Sequence, residues 1–309
     1  MSALRQLSES LGRVVFGQQD VIVELLTGFL ARGHVLLEGP PGVAKTLTAR
    51  TLAESLGLGF RRVQFTPDLM PSDILGTSVF RPGSGDFALV KGPIFTDVLV
   101  ADELNRTPPR TQAALLEAME ERQVTLEGQT HPLPPHFFVV ATQNPLELEG
   151  TYPLPEAQLD RFLIRVRVDY PDAAAELAML EDTHRHRGRR ASPEARLLDG
   201  QSLAALQEAA AALPCEASIL AYVVNLVRHT REDPRVQLGA SPRAAQGLLA
   251  AAKARAALEG QDFVTPDHVK AVAPSVLTHR LVLRGEAEIE GMRAEDVLRQ
   301  ALSSVQVPR

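Results

Sequence analysis

Short apolar runs alternate with segments of helical spacing over the first 170 residues of the chain. In residues 3–12 and 19–31 apolar side chains recur every three or four positions, which predicts two helices. A third helix is expected at 47–56, where Gly57 ends the pattern. The apolar runs of strand length lie at 35–37, 61–65, 97–101, 137–142 and 162–168. Strands that alternate with helices predict an α/β fold: a parallel five-stranded sheet with helices on both faces.

The pattern changes after residue 171, where helical spacing continues but strand-like runs cease. Two helix starts are marked by a capping residue followed by proline, at Ser241-Pro242 and Thr265-Pro266. The predicted helices cover 173–187, 201–213, 216–231, 241–258 and 266–280, with a short strand at 280–284. We therefore predict an α/β domain over 1–171 and an α-helical domain over 172–309.

The segment HVLLEGPPGVAKT (34–46) joins the first strand to the third helix through a loop rich in glycine and proline. This order is that of a phosphate-binding P-loop, whose backbone N–H groups and helix N-terminus attract phosphate. Lys45 would reach the β- and γ-phosphates, and the Thr46 hydroxyl would hold Mg²⁺. The residues expected to contact the nucleotide are Gly39, Pro40, Pro41, Gly42, Val43, Ala44, Lys45, Thr46 and Leu47. A chance strand-to-helix turn is the alternative.

One position departs from the P-loop pattern, which has glycine directly before the lysine. This chain has Ala44 there, and its methyl group is tolerated only if the residue keeps a negative φ. We therefore expect a negative φ at Ala44.

Polar side chains end the two strands that are expected at the centre of the sheet. Asp102-Glu103 follows the run DVLVA, and Asn144 closely follows FFVVAT. Because ligands bind at the carboxyl ends of strands in open α/β sheets, these side chains are expected beside the P-loop. Asp102 would help to hold Mg²⁺, Glu103 would polarise the attacking water as general base, and the amide would hydrogen-bond that water or the γ-phosphate. Ordinary turns after strands are the alternative for all three.

Composition restricts the classes of function. Of the 309 residues, 45% are hydrophobic and 23% are charged, as in a globular protein. The formal net charge of −6 argues against a dedicated nucleic-acid binder. The single cysteine, Cys215, cannot form an internal disulfide and fits a reducing compartment. Since no signal-peptide pattern and no apolar run of membrane-spanning length is found in the sequence, we expect a cytoplasmic protein.

Several longer segments are specific enough to indicate a family. They are GPPGVAKT with its alanine (39–46), QFTPDLMPSDILG (64–76), ADELNRTPPRTQAALLEAMEERQVTLEG (101–128), ATQNP (141–145), LPEAQLDRF (154–162) and GASPRAAQGLLAAAKARA (239–256). Together they resemble the MoxR family of AAA+ ATPases, over nearly the whole chain. The resemblance implies ATP and Mg²⁺ as ligands, a P-loop AAA+ core, and an α-helical lid domain over 172–309.

The resemblance also implies roles for individual residues. Asp102 and Glu103 correspond to the Walker B carboxylates, and Asn144 corresponds to sensor 1. Arg161 matches the arginine finger that reaches the γ-phosphate bound by a neighbouring subunit, a task that suits a permanently charged guanidinium. The alternative is a surface arginine or an ion-pair partner of Asp160.

Two further assignments follow from the same resemblance. Arg243 matches sensor 2 on the lid, and whether it acts on the nucleotide of its own subunit or of a neighbour stays open. Phe16, Gly17 and Gln18 fall where the family binds adenine, with a helix-capping turn as the alternative. Separately, Gln64 is a polar residue on the second strand and would restrain Glu103 until a partner binds.

Two inserted segments interrupt the core, a helix-2 insertion at about 66–95 and a pre-sensor hairpin at about 122–133. Each has two strand-like stretches around a glycine turn, which predicts a hairpin. In related ATPases such insertions contact client proteins, while edge hairpins without a role are the alternative. The groups interpreted as ordinary surface charge are Glu120, Glu121, Glu147, Glu149 and the basic run 184–190.

Three classes of function are compatible with these features. The first is an oligomeric, hexameric ATPase that remodels or activates a client or adaptor protein, for example one with a von Willebrand factor A domain. The second is a nucleic-acid motor or a metal-chelatase subunit of the same helix-2-insert group. The third is a switch that exchanges nucleotide without hydrolysing it, against which the intact Glu103 and Arg161 argue.

Overall fold

A computed structural model describes residues 2–83, 85–145, 147, 150–187, 198 and 200–308. In this part of the chain the strands are β1 (Val35–Glu38), β2 (Phe60–Gln64), β3 (Gly76–Arg81), β4 (Asp86–Lys91), β5 (Val98–Asp102), β6 (Gln123–Leu126), β7 (Gln129–Pro132), β8 (Phe138–Gln143), β9 (Ile164–Arg167), β10 (Val236–Leu238) and β11 (Val282–Leu283). The α-helices are α1 (Ser2–Gly12), α2 (Gln19–Leu30), α3 (Lys45–Leu56), α4 (Pro71–Leu75), α5 (Pro109–Glu121), α6 (Glu156–Leu159), α7 (Ala173–Arg185), α8 (Gly200–Ala211), α9 (Ala217–Glu232), α10 (Pro242–Leu258), α11 (Pro266–Leu277), α12 (Gly285–Ile289) and α13 (Ala294–Ser304).

The central sheet has five strands in the order β2-β5-β8-β1-β9, and every neighbouring pair is parallel. Successive side chains of β1 enter two different clusters: Val35 and Leu37 pack on one face, and Leu36 packs on the other. Such alternation is the two-residue period of a strand that is buried on both sides. The predicted fold class, an α/β core followed by a helical lid, is confirmed.

The lid packs against one face of the core rather than standing apart from it. Helix α10 lies against α2, α8, α9 and α11. Its start is stabilised by Ser241, whose Oγ accepts a hydrogen bond from the backbone N–H of Ala244 at 3.2 Å. One continuous apolar cluster includes side chains of β1, α2, α9, α10 and α11. Lid and core therefore share a hydrophobic core.

The lid differs from its prediction in three respects. It contains a small antiparallel sheet in which β10 pairs with β11, whereas only a strand at 280–284 was predicted. A strand of three residues is too short to show a two-residue period, so β10 gave no signal. The last predicted helix, 266–280, ends at Leu277 and continues as a 3₁₀ turn through Arg280. Helices α12 and α13 had not been predicted.

The two inserted segments each form a two-stranded antiparallel hairpin, β3–β4 and β6–β7. Near the tip of the first, Phe80 lies opposite Phe87, and the centroids of the two rings are 5.3 Å apart. Their side chains are 50% and 66% exposed. Ser84 at the predicted turn lies outside the described residues, as do residues 188–190 of the basic run and Glu149. No helix in the described part of the chain is long and apolar enough to cross a membrane.

His34 links the start of β1 to two neighbouring elements. Its Nδ1 accepts a hydrogen bond from the backbone N–H of Val139 at 3.0 Å, and Nε2 lies 3.1 Å from the carbonyl oxygen of Met119. The ring is buried. Burial, aided by the charge of Arg122, lowers the pKa of His34 to about 3, so the folded protein holds this imidazole neutral.

We expect His34 to reduce stability as the pH falls. Its pKa in the unfolded chain is about 6.5, above the folded value of about 3, so the unfolded chain binds the proton first. The contribution of His34 is therefore complete above pH 6.5 and is lost at about 1.4 kcal/mol per pH unit below it. Urea unfolding of the parent and of His34→Gln at neutral and mildly acidic pH measures this loss. The difference between the two proteins should shrink by that amount per unit.

The parent is the control, because both proteins are measured at the same pH values and differ only at His34. A difference that does not change with pH would show that the buried imidazole does not stay neutral in the folded protein.

Candidate functional site

The P-loop connects the C-terminal end of β1 to α3. The backbone N–H of Gly39 donates to the carbonyl oxygen of Gln143 at 3.3 Å, which ties the loop to β8. A Cβ atom at Gly39 would lie 2.1 Å from the carbonyl oxygen of Val168, so only glycine permits this close approach. Gly42 has a φ of +86°, a conformation that favours glycine. Both glycines are therefore required by backbone geometry.

The prediction for Ala44 is wrong. This residue precedes α3 with φ +62° and ψ +17°, in the left-handed region. An L-residue pays roughly 1–2 kcal/mol for that conformation because its Cβ crowds the following carbonyl. The loop holds Ala44 in the left-handed conformation that glycine adopts more easily, so the backbone of this alanine is strained.

Lys45 is folded back onto its own loop. Its Nζ donates to the carbonyl oxygen of Pro40 at 3.1 Å and also to that of Gly39. Partial burial lowers the pKa of Lys45, while the charges of Asp102 and Glu103 act in the opposite direction. The ammonium group thus sits where carbonyl dipoles balance its charge, within the loop that would hold phosphate.

Asp102 accepts hydrogen bonds from three side chains at the end of β5. Its Oδ2 accepts from the hydroxyl of Thr46 at 3.2 Å and from two nitrogens of Arg62 at 2.7 and 2.9 Å. Its Oδ1 accepts from the hydroxyl of Thr142. The backbone N–H of Glu103 in turn donates to that hydroxyl at 3.0 Å. The predicted metal-binding pair Thr46 and Asp102 is therefore in direct contact.

Glu103 is held by two polar neighbours. Gln64 Nε2 donates to its Oε2 at 2.6 Å, and Arg106 Nε lies 3.0 Å from the same oxygen. Glu103 itself has a φ of +57°. After Ala44, it is the second non-glycine residue of the site described so far that has a strained backbone. Arg106 also pairs with Glu147, a residue that was interpreted as plain surface charge.

Asn144 lies buried directly after β8, the strand that pairs with β5. Because the two strands are parallel, Asn144 is at the same edge of the sheet as Asp102, Glu103 and the P-loop. The structure therefore brings together the sequence-predicted side chains that follow β1, β5 and β8.

A cavity of about 620 Å³ lies beside the P-loop. It is bordered by Val14, Val15, Phe16, Gln18, Pro41, Gly42, Val43, Ala44, Leu47, Tyr170, Pro171, Glu176, Met179, Asp182 and Thr183. Apolar walls and backbone at the mouth of a P-loop suit a purine base. The cavity lies between the segment before α2 and the first helix of the lid.

Gly17 allows the two sides of this cavity, the segment before α2 and the segment around the start of α7, to contact each other. A Cβ atom there would lie 2.6 Å from Cβ of Ala175 and 2.9 Å from Cβ of Pro171, and its φ is +68°. Gln18 reinforces the contact, since its Nε2 donates to the carbonyl oxygen of Asp169 at 2.9 Å. Tyr170 and Met179 also border the cavity and were not predicted as site residues, whereas Phe16 and Gln18 were expected at the adenine.

Arg161 and Arg243 do not border the cavity beside the P-loop. Arg161 Nε is 3.1 Å from Oε2 of Glu120, and Arg243 Nη1 is 2.8 Å from Oε1 of the same carboxylate. Glu120 is therefore an exposed carboxylate that forms ion pairs with both arginines. Asp160 does not pair with Arg161; it pairs with Arg280.

These arginines border a second cavity that shares no lining residue with the first. Gly33 and His34 also border it, and they immediately precede β1, whereas the P-loop follows β1. Arg161 likewise precedes β9, which is parallel to β1. The two cavities are thus at opposite ends of the sheet, separated by the length of β1, roughly 13 Å.

The donor set near the P-loop fits a magnesium ion that arrives with a nucleotide. Thr46 and Asp102 offer a hydroxyl and a carboxylate oxygen, the ligand types that Mg²⁺ prefers, and the ion usually completes its shell with phosphate and water. Within the described residues there is no cluster of three His, Cys, Asp or Glu that could hold a metal alone. Arg62, bound to the same Asp102 oxygen, neutralises the carboxylate in this state.

Comparisons with known proteins agree with this geometry. The family model described as "ATPase family associated with various cellular activities (AAA)" matches residues 34–164, and an AAA lid domain model matches residues 228–301. A solved structure of a candidate ATPase from Cytophaga hutchinsonii superposes with a TM-score of 0.92 at 38% identity, covering 100% of this chain and 96% of that one. The fold and site therefore define an AAA+ nucleotide-binding ATPase core with its lid.

Similar sequences give the family. The chain is 46% identical to the uncharacterized protein YeaC of Bacillus subtilis, over 97% of this chain and 93% of that one. It is 44% identical to the Chaperone MoxR1 of Mycobacterium tuberculosis, over 96% and 80% respectively. It is 34% identical to the Protein MoxR of Methylorubrum extorquens, over 99% and 95%. The chain belongs to the MoxR family of AAA+ ATPases, as its sequence motifs had indicated.

The strain at Ala44 leads to a prediction. Ala44→Gly should leave stability unchanged or raise it by up to about 1 kcal/mol, because relief of the left-handed conformation offsets the greater chain entropy of glycine. Urea unfolding measures the effect. The control is Ala205→Gly, at an exposed position in the middle of the regular helix α8, which should cost about 1 kcal/mol. Equal losses in the two variants would contradict the positive φ at Ala44.

Proposed function

We propose that this protein hydrolyses ATP with Mg²⁺ at interfaces between copies of the chain in a closed ring, and that it uses the cycle to remodel or activate a client protein. The observation that carries this proposal is the separation of the two halves of the site. Arg161 and Arg243 converge on Glu120 at the end of the sheet opposite to the P-loop.

That separation favours a nucleotide shared between two copies. A guanidinium that stabilises the transferring phosphoryl group must touch it, and neither arginine borders the chain's own P-loop cavity. A second copy that presents its Arg161 and Arg243 to that cavity would complete the site. Contacts between two different surfaces of identical chains produce rings when the rotation closes, and the family resemblance favours a hexamer. Arg243 would then act on the neighbour's nucleotide.

The chemistry follows from the side chains at the P-loop edge. Lys45 would exchange the carbonyls of Gly39 and Pro40 for the β- and γ-phosphates, since charge-assisted contacts are the stronger ones. Thr46 and Asp102 would hold Mg²⁺, which neutralises phosphate charge when bound. Glu103 would polarise the attacking water, and Asn144 would orient it.

The contacts of Glu103 suggest a resting state of this machinery. While Gln64 and Arg106 both engage its carboxylate, Glu103 is held toward β2 and does not face an attacking water. We propose that hydrolysis requires release of these contacts, as the sequence had suggested for Gln64. A nucleotide or partner that binds only the released arrangement would shift the population toward it.

Client contact is assigned to the inserted hairpins. An exposed aromatic pair such as Phe80 and Phe87 is unusual on a monomer surface and suits a transient protein contact. One relative is named a chaperone, and a client or adaptor of the von Willebrand factor A type fits the same role. The family resemblance carries this part of the proposal.

Complementation between two inactive variants tests the shared site. Arg161→Ala should lower ATP turnover by about 10³-fold or more, and Glu103→Gln should also be nearly inactive, while both still bind ATP. Mixed in equal amounts, they should recover up to about a quarter of the parental rate, because one interface in four joins a chain with an intact Glu103 to a chain with an intact Arg161. A steady-state phosphate-release assay measures the rates.

The control for the arginine is Arg299→Ala, which removes an exposed guanidinium paired only locally with Asp296 and should keep the parental rate. No recovery in the mixture, although both variants assemble and bind ATP, would contradict a site shared between copies. Full activity of Arg161→Ala alone would exclude its assignment as the arginine finger.

A further inference from the structure

Arg280 of the lid is buried at the boundary with the core. It ends the 3₁₀ turn that follows α11, and its side chain is 4% exposed. Its Nε donates to Oδ1 of Asp160 at 2.6 Å. Burial lowers the pKa of the guanidinium, while the hydrogen bond to Asp160 raises it. A charge buried to this degree is normally retained only when it is paired and hydrogen-bonded.

Three other hydrogen bonds of Arg280 hold the backbone on both sides of Arg161. Nη2 donates to the carbonyl oxygen of Asp160 at 3.2 Å and to that of Phe162 at 2.7 Å. Nη1 donates to the carbonyl oxygen of Leu163 at 3.1 Å and also to that of Val276 in α11. One lid side chain thus fixes the residue before Arg161 and the two residues after it.

The side chain of Arg161 is oriented from a second direction. Glu120, near the end of α5, binds Nε of Arg161 with one oxygen and Arg243 with the other. A guanidinium has five N–H donors, and the contact with Glu120 uses the inner nitrogen of Arg161. The backbone of this arginine is therefore held by the lid, and its side chain by the core.

We propose that Arg280 is a positioning residue for ATP hydrolysis, which holds Arg161 in the place where the neighbouring copy's nucleotide needs it. The proposal rests on the proposed function, since it assumes that Arg161 acts on that nucleotide. Displacement of a catalytic group by about 1 Å can cost on the order of 100-fold in rate. Only a planar fork of donors can serve a carboxylate and several carbonyl oxygens at once, so lysine is not an equivalent.

The proposal predicts a loss of turnover without a loss of nucleotide binding. Arg280→Lys keeps the charge but not the fork, and it should lower kcat at least about 10-fold with the affinity for ATP and the assembly state unchanged. The matched control is Arg284→Lys, since Arg284 is exposed four residues further along and should keep the parental rate. Turnover is compared well below the unfolding temperature of each variant.

Mixing experiments separate positioning from general damage to the fold. Arg280→Lys mixed with Glu103→Gln should recover activity to the level reached by Arg161→Ala mixed with Glu103→Gln, because Glu103→Gln supplies an intact arginine. Arg280→Lys mixed with Arg161→Ala should not recover, because both lack a correctly placed one. A variant that is merely misfolded would recover with neither partner.

Asp160→Asn changes the same contact from its other partner. Asp160 is more exposed than Arg280, and the amide of the asparagine keeps the shape of the carboxylate. It should reproduce the pattern of Arg280→Lys. Parental turnover in both variants, or a loss that Glu103→Gln does not relieve, overturns the positioning role. If instead Arg161→Ala mixed with Glu103→Gln also fails to recover, the shared site itself is wrong.

Discussion

The common direction of the five parallel strands is the constraint on which the rest of this structure depends. Every strand of the sheet delivers its C-terminal end to one edge, so the P-loop after β1, the carboxylates after β5 and Asn144 after β8 meet there. The segments that precede β1 and β9 reach the opposite edge, and Arg161 goes with them. A chain built in this way separates its anion-binding loop from its arginines by the length of a strand. The proposal of a site completed by a second copy follows from that separation.

The charged groups of both half-sites already have partners within the chain. Lys45 contacts carbonyl oxygens of its own loop, Arg62 pairs with Asp102, and Glu120 pairs with Arg161 and Arg243. Each contact limits the cost of holding a charge partly out of water. Binding of a nucleotide and of a neighbouring copy would then exchange one set of ionic contacts for another. Such exchange would allow modest differences in free energy to shift the conformational state of the proposed ring.

The sequence allowed much of the core to be predicted, because strand-to-loop transitions have strong local signals. The P-loop, the pair Asp102-Glu103 and Asn144 all follow short apolar runs, and each lies at the predicted edge. Ala44 was misjudged because the strain of the loop is set by its contacts, including the approach of Gly39 to Val168, and not by local preference. Backbone strain at a binding loop is compensated by the surrounding structure, which a sequence does not display.

The contacts between distant segments could not be predicted. Glu120 meets Arg161 only when the core folds, and Arg280 meets Asp160 only when the lid packs on the core. The residue types of Glu120 and Arg280 do not predict these contacts, because a Glu-Glu pair and a His-Arg pair at a helix end are common on protein surfaces. Strand β10 was missed for a different reason, because three residues are too few to establish a period.

The rate of ATP hydrolysis as a function of protein concentration, with sedimentation under the same conditions, tests the central claim most directly. If the site is shared between copies, the rate per chain should rise with the fraction of chains in the assembled ring and approach zero for the monomer. A rate per chain that is independent of concentration, from a species that sediments as a monomer, would show that one chain contains the complete site.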